Sequence, residues 1–338
     1  MSADGCDIDF TRYGVKDNPD ALQVGFFLPD TFAMLPFISA LESLRVANRL
    51  SGQALYNWTL MGTGASHAYA CNAMPFALEH SVFDTFKLDR LIVCGPHEPH
   101  LYDEPKVFRA LRRWAGQGTQ MGSLDSGSHM LAQADLIKQR RCAIHWENLP
   151  GFREAFPGLA VTSELYEIDD ELFTCAGGTA VLDMMCELVI RDHGQELAGR
   201  LSELFISAGQ RASTDPQRRS IVERSGIYHP GLVSCIELME SNVEQPLTTS
   251  ELAGMVNVSK RQLERLFRTY LDTTPTLYYQ HLRLQAGYEL LKQTTMSVLE
   301  VAAATGFSSS DYFSRRFRVQ FGISPTEARR RLADGRRP

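Results

Sequence analysis

The last hundred or so residues of the chain repeat themselves at a spacing of about 50 residues, and no other feature restricts the fold as tightly. Leu252-Ala253 followed by Val258-Ser259 corresponds to Val301-Ala302 followed by Phe307-Ser308. Leu263, Phe267 and Pro275 correspond to Phe313, Phe317 and Pro325, each 50 residues further on. A solenoid needs at least about three stacked repeats to bury its faces, so two copies point to a paired module instead.

Each copy reads as helix, turn, helix. In the first, Thr249 or Ser250 is expected to cap a short helix holding Leu252, Ala253 and Val256, with Glu251 in the first turn, where the helix dipole favours an anion. A turn at Asn257 leads to Ser259, the expected cap of a helix over Lys260–Leu271. In the second, Ser297 caps Val298–Thr305, Gly306 supplies the turn, and Ser308 or Ser309 opens a helix running to Phe321. Thr276–Thr294 fits one long connecting helix.

On the second helix of each copy the apolar residues recur at helical spacing: Leu263, Leu266 and Phe267, then Phe313, Phe317 and Phe321. The opposite face carries Lys260, Arg261, Glu264, Arg265 and Arg268 in one copy. In the other it carries Ser310, Asp311, Ser314, Arg315 and Arg318. Side chains of these types reach phosphates and base edges when such a helix lies in a major groove, and Asp311 suits a cytosine amino group. A plain helical bundle with a solvated basic face would explain one copy, but two matched copies argue against it.

The front of the chain has another rhythm. Strand-like runs at Leu22–Leu28, Tyr56–Met61, Leu88–Cys94, Thr119–Leu124, Cys142–Ile144 and Leu172–Cys175 alternate with amphipathic stretches at Phe37–Leu50, Pro105–Gly116 and Thr179–Asp192. That alternation predicts a parallel sheet with helices on both faces. Ser213–Tyr228 lacks apolar periodicity and reads as a linker. The expected organisation is a flexible tail over 1–20, an α/β domain over 21–212, the linker, and an all-α domain over 229–338. Gln195–Gln210 is expected to be helical and to belong either to a dimer face or to its own domain.

Net charge is −6, which alone disfavours nucleic acid, but the charge is unevenly placed. From Gly231 onward there are 14 Lys and Arg against 11 Asp and Glu, and the rest of the chain has 20 against 29. Clustering on one face, more than the total, governs phosphate binding. No apolar run approaches the roughly 20 residues of a bilayer span, and Met1–Asp20 does not read as a signal peptide, so a cytoplasmic protein with no membrane partner is expected. The seven cysteines form no C-x-x-C pair and read as buried small hydrophobes. His97-Glu98-Pro99-His100 has no third ligand at fixed spacing, so no metal site and no cofactor are expected.

The run LTTSELAGMVNVSKRQLERLFRTYLDTTP, then HLRLQAGYELL, then MSVLEVAAATGFSSSDYFSRRFRVQFGISP, resembles the DNA-binding domain of the AraC/XylS family of transcription regulators. The resemblance implies that the two basic-faced helices are recognition helices on promoter DNA. It also implies a homodimer, contact with RNA polymerase, and a role as activator. Gln120–Trp146 resembles the strand, sharp elbow and helix of class I glutamine amidotransferase-like (PfpI-like) domains, a flavodoxin-like fold in which a cysteine nucleophile sits at the elbow. Here the elbow residue is Asp125, so the resemblance implies a catalytically dead domain and a chain that is not an enzyme. Cys175–Val189 and His145-Trp146 match amidotransferase-like domains fused to AraC-type domains, which sense small effectors. The expected pocket lies beyond the carboxyl ends of the strands, at Pro29–Phe32, Cys94–Gly95, Asp125–Ser126, His145–Trp146 and Gly177–Gly178. Phe32, Asp125, Ser126, His145 and Trp146 are its candidate ligand contacts. An acid beside an aromatic ring suits an ammonium group. Several members of the family it resembles control catabolism of amino acids, betaine-like or other nitrogenous metabolites, so the resemblance implies an effector of that kind. The alternative is hydrolase or amidotransferase activity in the front domain.

Overall fold

The computed structural model describes residues 18–207, 209–218 and 220–333. The expected tail falls mostly outside them, as does Cys6. Asn18, by contrast, is tied in: its side-chain amide donates to the Ala54 carbonyl at 3.3 Å, and its own carbonyl accepts from Asn57. The chain divides into two compact units, a front one over 1–149 and 156–217 and a rear one over 150–155 and 218–338.

The front unit opens with β1 (Leu22–Phe27), α1 (Met34–Ser51) and β2 (Tyr56–Gly62), then the short β3 (His67–Tyr69), β4 (Pro75–Ala77) and β5 (His80–Ser81). β6 (Arg90–Cys94), α2 (Pro105–Gly116), β7 (Gln120–Leu124) and α3 (Gly127–Gln133) follow, then β8 (Arg141–Ala143), α4 (Leu149–Ala155), which after its first residue belongs to the rear unit, and, back in the front unit, β9 (Ala160–Thr162), β10 (Tyr166–Ile168), β11 (Leu172–Cys175), α5 (Ala180–His193) and α6 (Gln195–Leu204).

The main sheet runs β10-β11-β7-β6-β1-β2-β5. Its five long strands are parallel, in the flavodoxin-like order 2-1-3-4-5, and only β10 is antiparallel. β1 reads LQVGFF because both faces of a central parallel strand are covered. Val24, Phe26 and Leu28 join α1, α5 and α6 in one cluster. Leu124 of β7 joins the same cluster, whereas its neighbour Ser123 bonds Ser128 of α3 at 2.8 Å, placing α3 on the opposite face.

Three expectations change. The run at Cys142–Ile144 forms β8, but outside the main sheet: it pairs with β9, because β10 folds back and takes the free edge of β11. The strands β3, β4, β5, β9 and β10 span only two or three residues, too few for alternation to show. The helix expected over Gln195–Gln210 stops at Leu204, and its Leu197, Ala198 and Leu201 pack inward with α1 and α5, so its apolar side belongs to its own unit.

The rear unit is helical: α7 (Ile221–Ser225), α8 (Pro230–Ser241), α9 (Thr249–Met255), α10 (Lys260–Leu271), α11 (Pro275–Gln293), α12 (Val298–Ala304), α13 (Ser310–Phe321) and α14 (Pro325–Ala333). The stretch read as linker therefore contains a helical turn, with Ile221 and Ile227 buried in the rear core. The cap of α9 is Thr248, not Thr249 or Ser250. It lies three residues before Glu251 and forms a reciprocal capping box, which Ser297 and Glu300 repeat at α12. Each copy has its own small core. Tyr279 on the first half of α11 belongs to one, and Leu284, Leu290 and Leu291 on the second half belong to the other. No helix among the described residues is long and apolar enough to cross a membrane.

One buried ion pair fastens the end of α5 to the sheet. Arg90 grips Asp192 through both nitrogens at 2.5 and 2.6 Å, and the Tyr56 hydroxyl donates to the same carboxylate at 2.8 Å. Both charged side chains are nearly buried, at 12% and 10% exposure. Asp192→Ala strands the Arg90 charge, and a loss of about 3–5 kcal/mol is expected. Urea unfolding read by tryptophan fluorescence checks it, since Trp58, Trp114 and Trp146 all lie in the front unit.

Candidate functional site

The helix pairs of the rear unit set out two outward faces. Ser259 caps α10, accepting from Gln262 N–H at 3.2 Å, and Ser309 caps α13, accepting from Tyr312 N–H at 3.2 Å. Leu263 and Phe267 are fully buried under α10, as are Phe313 and Phe317 under α13. Burying that side turns Lys260, Arg261, Glu264, Arg265 and Arg268 out to solvent, with Asp311, Arg315 and Arg318 likewise on α13; Ser310 and Ser314 are half-buried there. α10 thus presents four cations and one acid, against two and one on α13. Arg261, Arg265 and Arg268 line a groove between α10 and the first turn of α11, with Thr274 and Thr276 on its far side. Glu264 lines the same groove, so three cations and one acid face it.

In the front unit the strand ends converge on Asp125. It occupies the turn between β7 and α3 in the left-handed conformation, φ 59°, a position that disfavours most residues and tolerates Asp. Its N–H donates to the Cys175 carbonyl at 3.0 Å. Gly177, with φ 93°, has to be glycine, because a Cβ there would come within 2.7 Å of Asp125 Oδ2. Burial raises the Asp125 pKa and Glu147 pushes the same way, while His145, the Ser126 N–H and His97 oppose them. Asp125 is therefore an acid in a site that resists its charge unless a cation is near.

The other candidates divide. His145 is about a quarter exposed, with its Nδ1 accepting from the Glu147 N–H at 3.4 Å, and its ring lies 5.6 Å from that of Trp146. Trp146 is 40% exposed. Phe32 departs from expectation. It is fully buried and packs edge-on against Phe37 and Phe76 at 5.4 and 5.6 Å, so it is a core residue and not a ligand contact. Ser126 departs too: its hydroxyl donates to the Pro96 carbonyl at 2.6 Å and pins the β6 loop to the elbow. His97 and Glu147, which the sequence reading left out of the pocket, both act on the Asp125 charge electrostatically.

No reactive thiol stands at the elbow among the described residues. Cys94 and Cys175 end the strands on either side, but both are buried, which drives the Cys94 thiol upward and Cys175 up to about 12. Thiols in that state are inert at neutral pH. No group of three or more possible metal ligands occurs among the described residues. Pro29, Asp30, Thr31 and Pro96 border a cavity of about 570 Å³, together with His67, Glu98, Glu104 and Lys106; Asp125, Ser126, His145 and Trp146 are not among the residues lining it.

The helix-turn-helix domain family matches residues 252–331. Over 304 residues the chain is 41% identical to the HTH-type transcriptional regulator CdhR of Pseudomonas aeruginosa, covering 90% of each. It is 40% identical over 312 residues to the HTH-type transcriptional regulator GbdR of the same species, covering 92% of this chain and 85% of that regulator. The crystal structure of an AraC family transcriptional regulator from Pseudomonas putida is similar at a TM-score of 0.51 and 26% identity, covering 54% of this chain and 99% of that one.

The elbow carries a signature in pH. Because its folded-state pKa is raised, the folded chain holds the Asp125 proton more tightly than the unfolded chain does. The site is then most favourable to folding at acid pH, and stability falls as pH rises through the raised value. Asp125→Asn keeps the shape and tolerates the left-handed backbone. Its front unit is expected to melt above wild type at pH 8, with the gap closing toward pH 5, in thermal unfolding followed by tryptophan fluorescence.

Proposed function

The chain belongs to the AraC family of helix-turn-helix transcriptional regulators, and from that premise we propose that its front unit is the receiver of a small nitrogenous metabolite. In this reading the effector's cationic group sits against Asp125, flanked by His145 and the exposed Trp146 ring, and the rear unit answers on promoter DNA as an activator. The observation that carries it is the elbow itself, where a largely buried carboxylate stands in place of a nucleophile, with its pKa raised and a cation the missing complement. A separate cavity, bordered by Asp30, Glu98, Glu104 and Lys106 and not lined by Asp125, His145 or Trp146, is of a size that suits a small metabolite. Hydrolysis of the PfpI-like kind is the weaker reading, since both nearby thiols are held protonated.

A ligand shifts an equilibrium only by its differential affinity for the two states. The front unit offers a means of transmission. Gln217, the last residue of that unit, donates through Nε2 to the carbonyls of Ile144 at 3.0 Å and Glu164 at 2.8 Å. Ile144 directly precedes His145, so movement of that corner is felt where the chain leaves the unit. Arg211 is held in the same region by Asp183, its N–H at 2.9 Å from one carboxylate oxygen and its guanidinium at 2.7 Å from the other. On DNA, α10 and α13 would enter successive major grooves about 34 Å apart, and a homodimer in contact with RNA polymerase would cover two such half-sites.

Two measurements test this. Calorimetry of the full chain against quaternary ammonium compounds and α-amino acids is expected to find one binding class. Asp125→Asn should weaken it about tenfold or more, and wild-type affinity should rise with pH as Asp125 ionises. Unchanged affinity in the variant removes Asp125 from the pocket. For DNA, the full chain is expected to bind promoter fragments beside its own gene. Arg265→Ala should lower the salt dependence of that binding by about one unit of log–log slope. Indifference of the wild type to every such fragment, even at low salt, would sink the DNA reading.

A further inference from the structure

Three contacts meet near the middle of α11. Tyr279 and Arg283 are four residues apart and so share one face of the helix. The Tyr279 hydroxyl donates to the Asn242 carbonyl, just after α8. Arg283 Nε donates to the Thr305 carbonyl, just after α12, at 2.7 Å, and its guanidinium lies 4.3 Å over the Phe307 ring. The residues that follow those two carbonyls touch each other: a Cβ placed on Gly306 would lie 2.6 Å from the Glu244 carbonyl, 2.7 Å from Pro246 Cδ and 2.8 Å from the Val243 carbonyl. The entry loop of the first helix-turn-helix and the turn of the second therefore meet at one point, and one face of the connecting helix hooks both. One residue along, Gln280 Nε2 donates to the Tyr312 hydroxyl on α13 at 2.8 Å.

The two copies show what the glycine is for. The turn residue of the first copy is Asn257, left-handed at φ 55° and exposed. Gly306 is left-handed too, at φ 70°. The turn conformation alone is thus compatible with a side chain, since Asn adopts it at modest cost. What excludes a side chain at Gly306 is the backbone of the other copy.

We propose that Tyr279, Arg283 and Gly306 form a joint that fixes the distance and angle between α10 and α13, so that the protein reads the spacing between its two DNA contact blocks as strictly as the blocks themselves. One base pair more or less displaces the second block by about 3.4 Å and turns it by about 35°. A joint closed by backbone contact cannot follow that movement, whereas two units on a compliant rod could. These three are positioning residues; none lies among the outward-facing candidates for base contact. The proposal rests on the DNA reading above.

The test uses duplexes enriched by the full wild-type chain from a random-sequence library, then altered by inserting or deleting one base pair between the two protected blocks. Wild type is expected to bind the altered spacings about tenfold or more weaker. Gly306→Asn should lose affinity at the original spacing and flatten the profile to within about threefold across spacings. Arg283→Gln removes the hook without a steric clash and is expected to flatten it in the same direction, so the test stands even if the glycine variant does not fold. Asn257→Gly, the matching change in the first copy, should keep the wild-type profile. Variants at Gly306 and Arg283 that retain wild-type discrimination, or weaken every spacing by one common factor, overturn the joint. So does a wild type that tolerates altered spacing. Failure of the wild type to enrich any sequence overturns the DNA reading, and the joint with it.

Discussion

The rear half depends on one helix serving two cores. Each copy of the repeat is about 50 residues long, close to the size at which a hydrophobic core becomes marginal by itself. α11 lends Tyr279 to the first core and Leu284, Leu290 and Leu291 to the second, so neither copy is closed without it. That sharing ties both copies to one connecting helix. It also explains why the apolar pattern along α11 looks weak as an amphipathic stripe: the buried side changes partner partway along the helix.

In the front half the corresponding constraint is the parallel sheet, whose carboxyl ends lie side by side. Crowding there makes Asp125 left-handed, holds Gly177 to its lack of a side chain, and takes up the Ser126 hydroxyl in fixing the β6 loop. The scaffold is that of an elbow that could present a nucleophile, yet the residue presented is a carboxylate that burial disfavours when charged, between two thiols that burial keeps protonated. Such a site is chemically suited to holding a cation and poorly suited to attacking a carbonyl.

How far the fold could be read in advance depended on how local each signal was. The five longest strands, α1, α2, α5 and all four helices of the repeat pairs were legible, because alternation and i, i+3, i+4 spacing survive over four residues or more. Asp125 was placed at the elbow by the resemblance of Gln120–Trp146 to PfpI-like domains, and it does occupy the turn between β7 and α3. Phe32 was misread because proximity to a strand end does not say which way a ring points, and here it points into an aromatic cluster. The cap of α9 was placed one or two residues late, since several adjacent hydroxyls compete and only the reciprocal bond with Glu251 chooses Thr248.

The sequence by itself determined the duplicated helix pairs, the cationic side of their second helices and the presence of an acid at Asp125, because each is a property of consecutive residues and their period. Tertiary structure alone decided that Cys175 and Gly177 stand against Asp125, and that Gly306 of one copy abuts Val243–Pro246 of the other. Those relations join residues that no periodicity links; they exist only once strand ends converge and a shared helix draws two loops into contact.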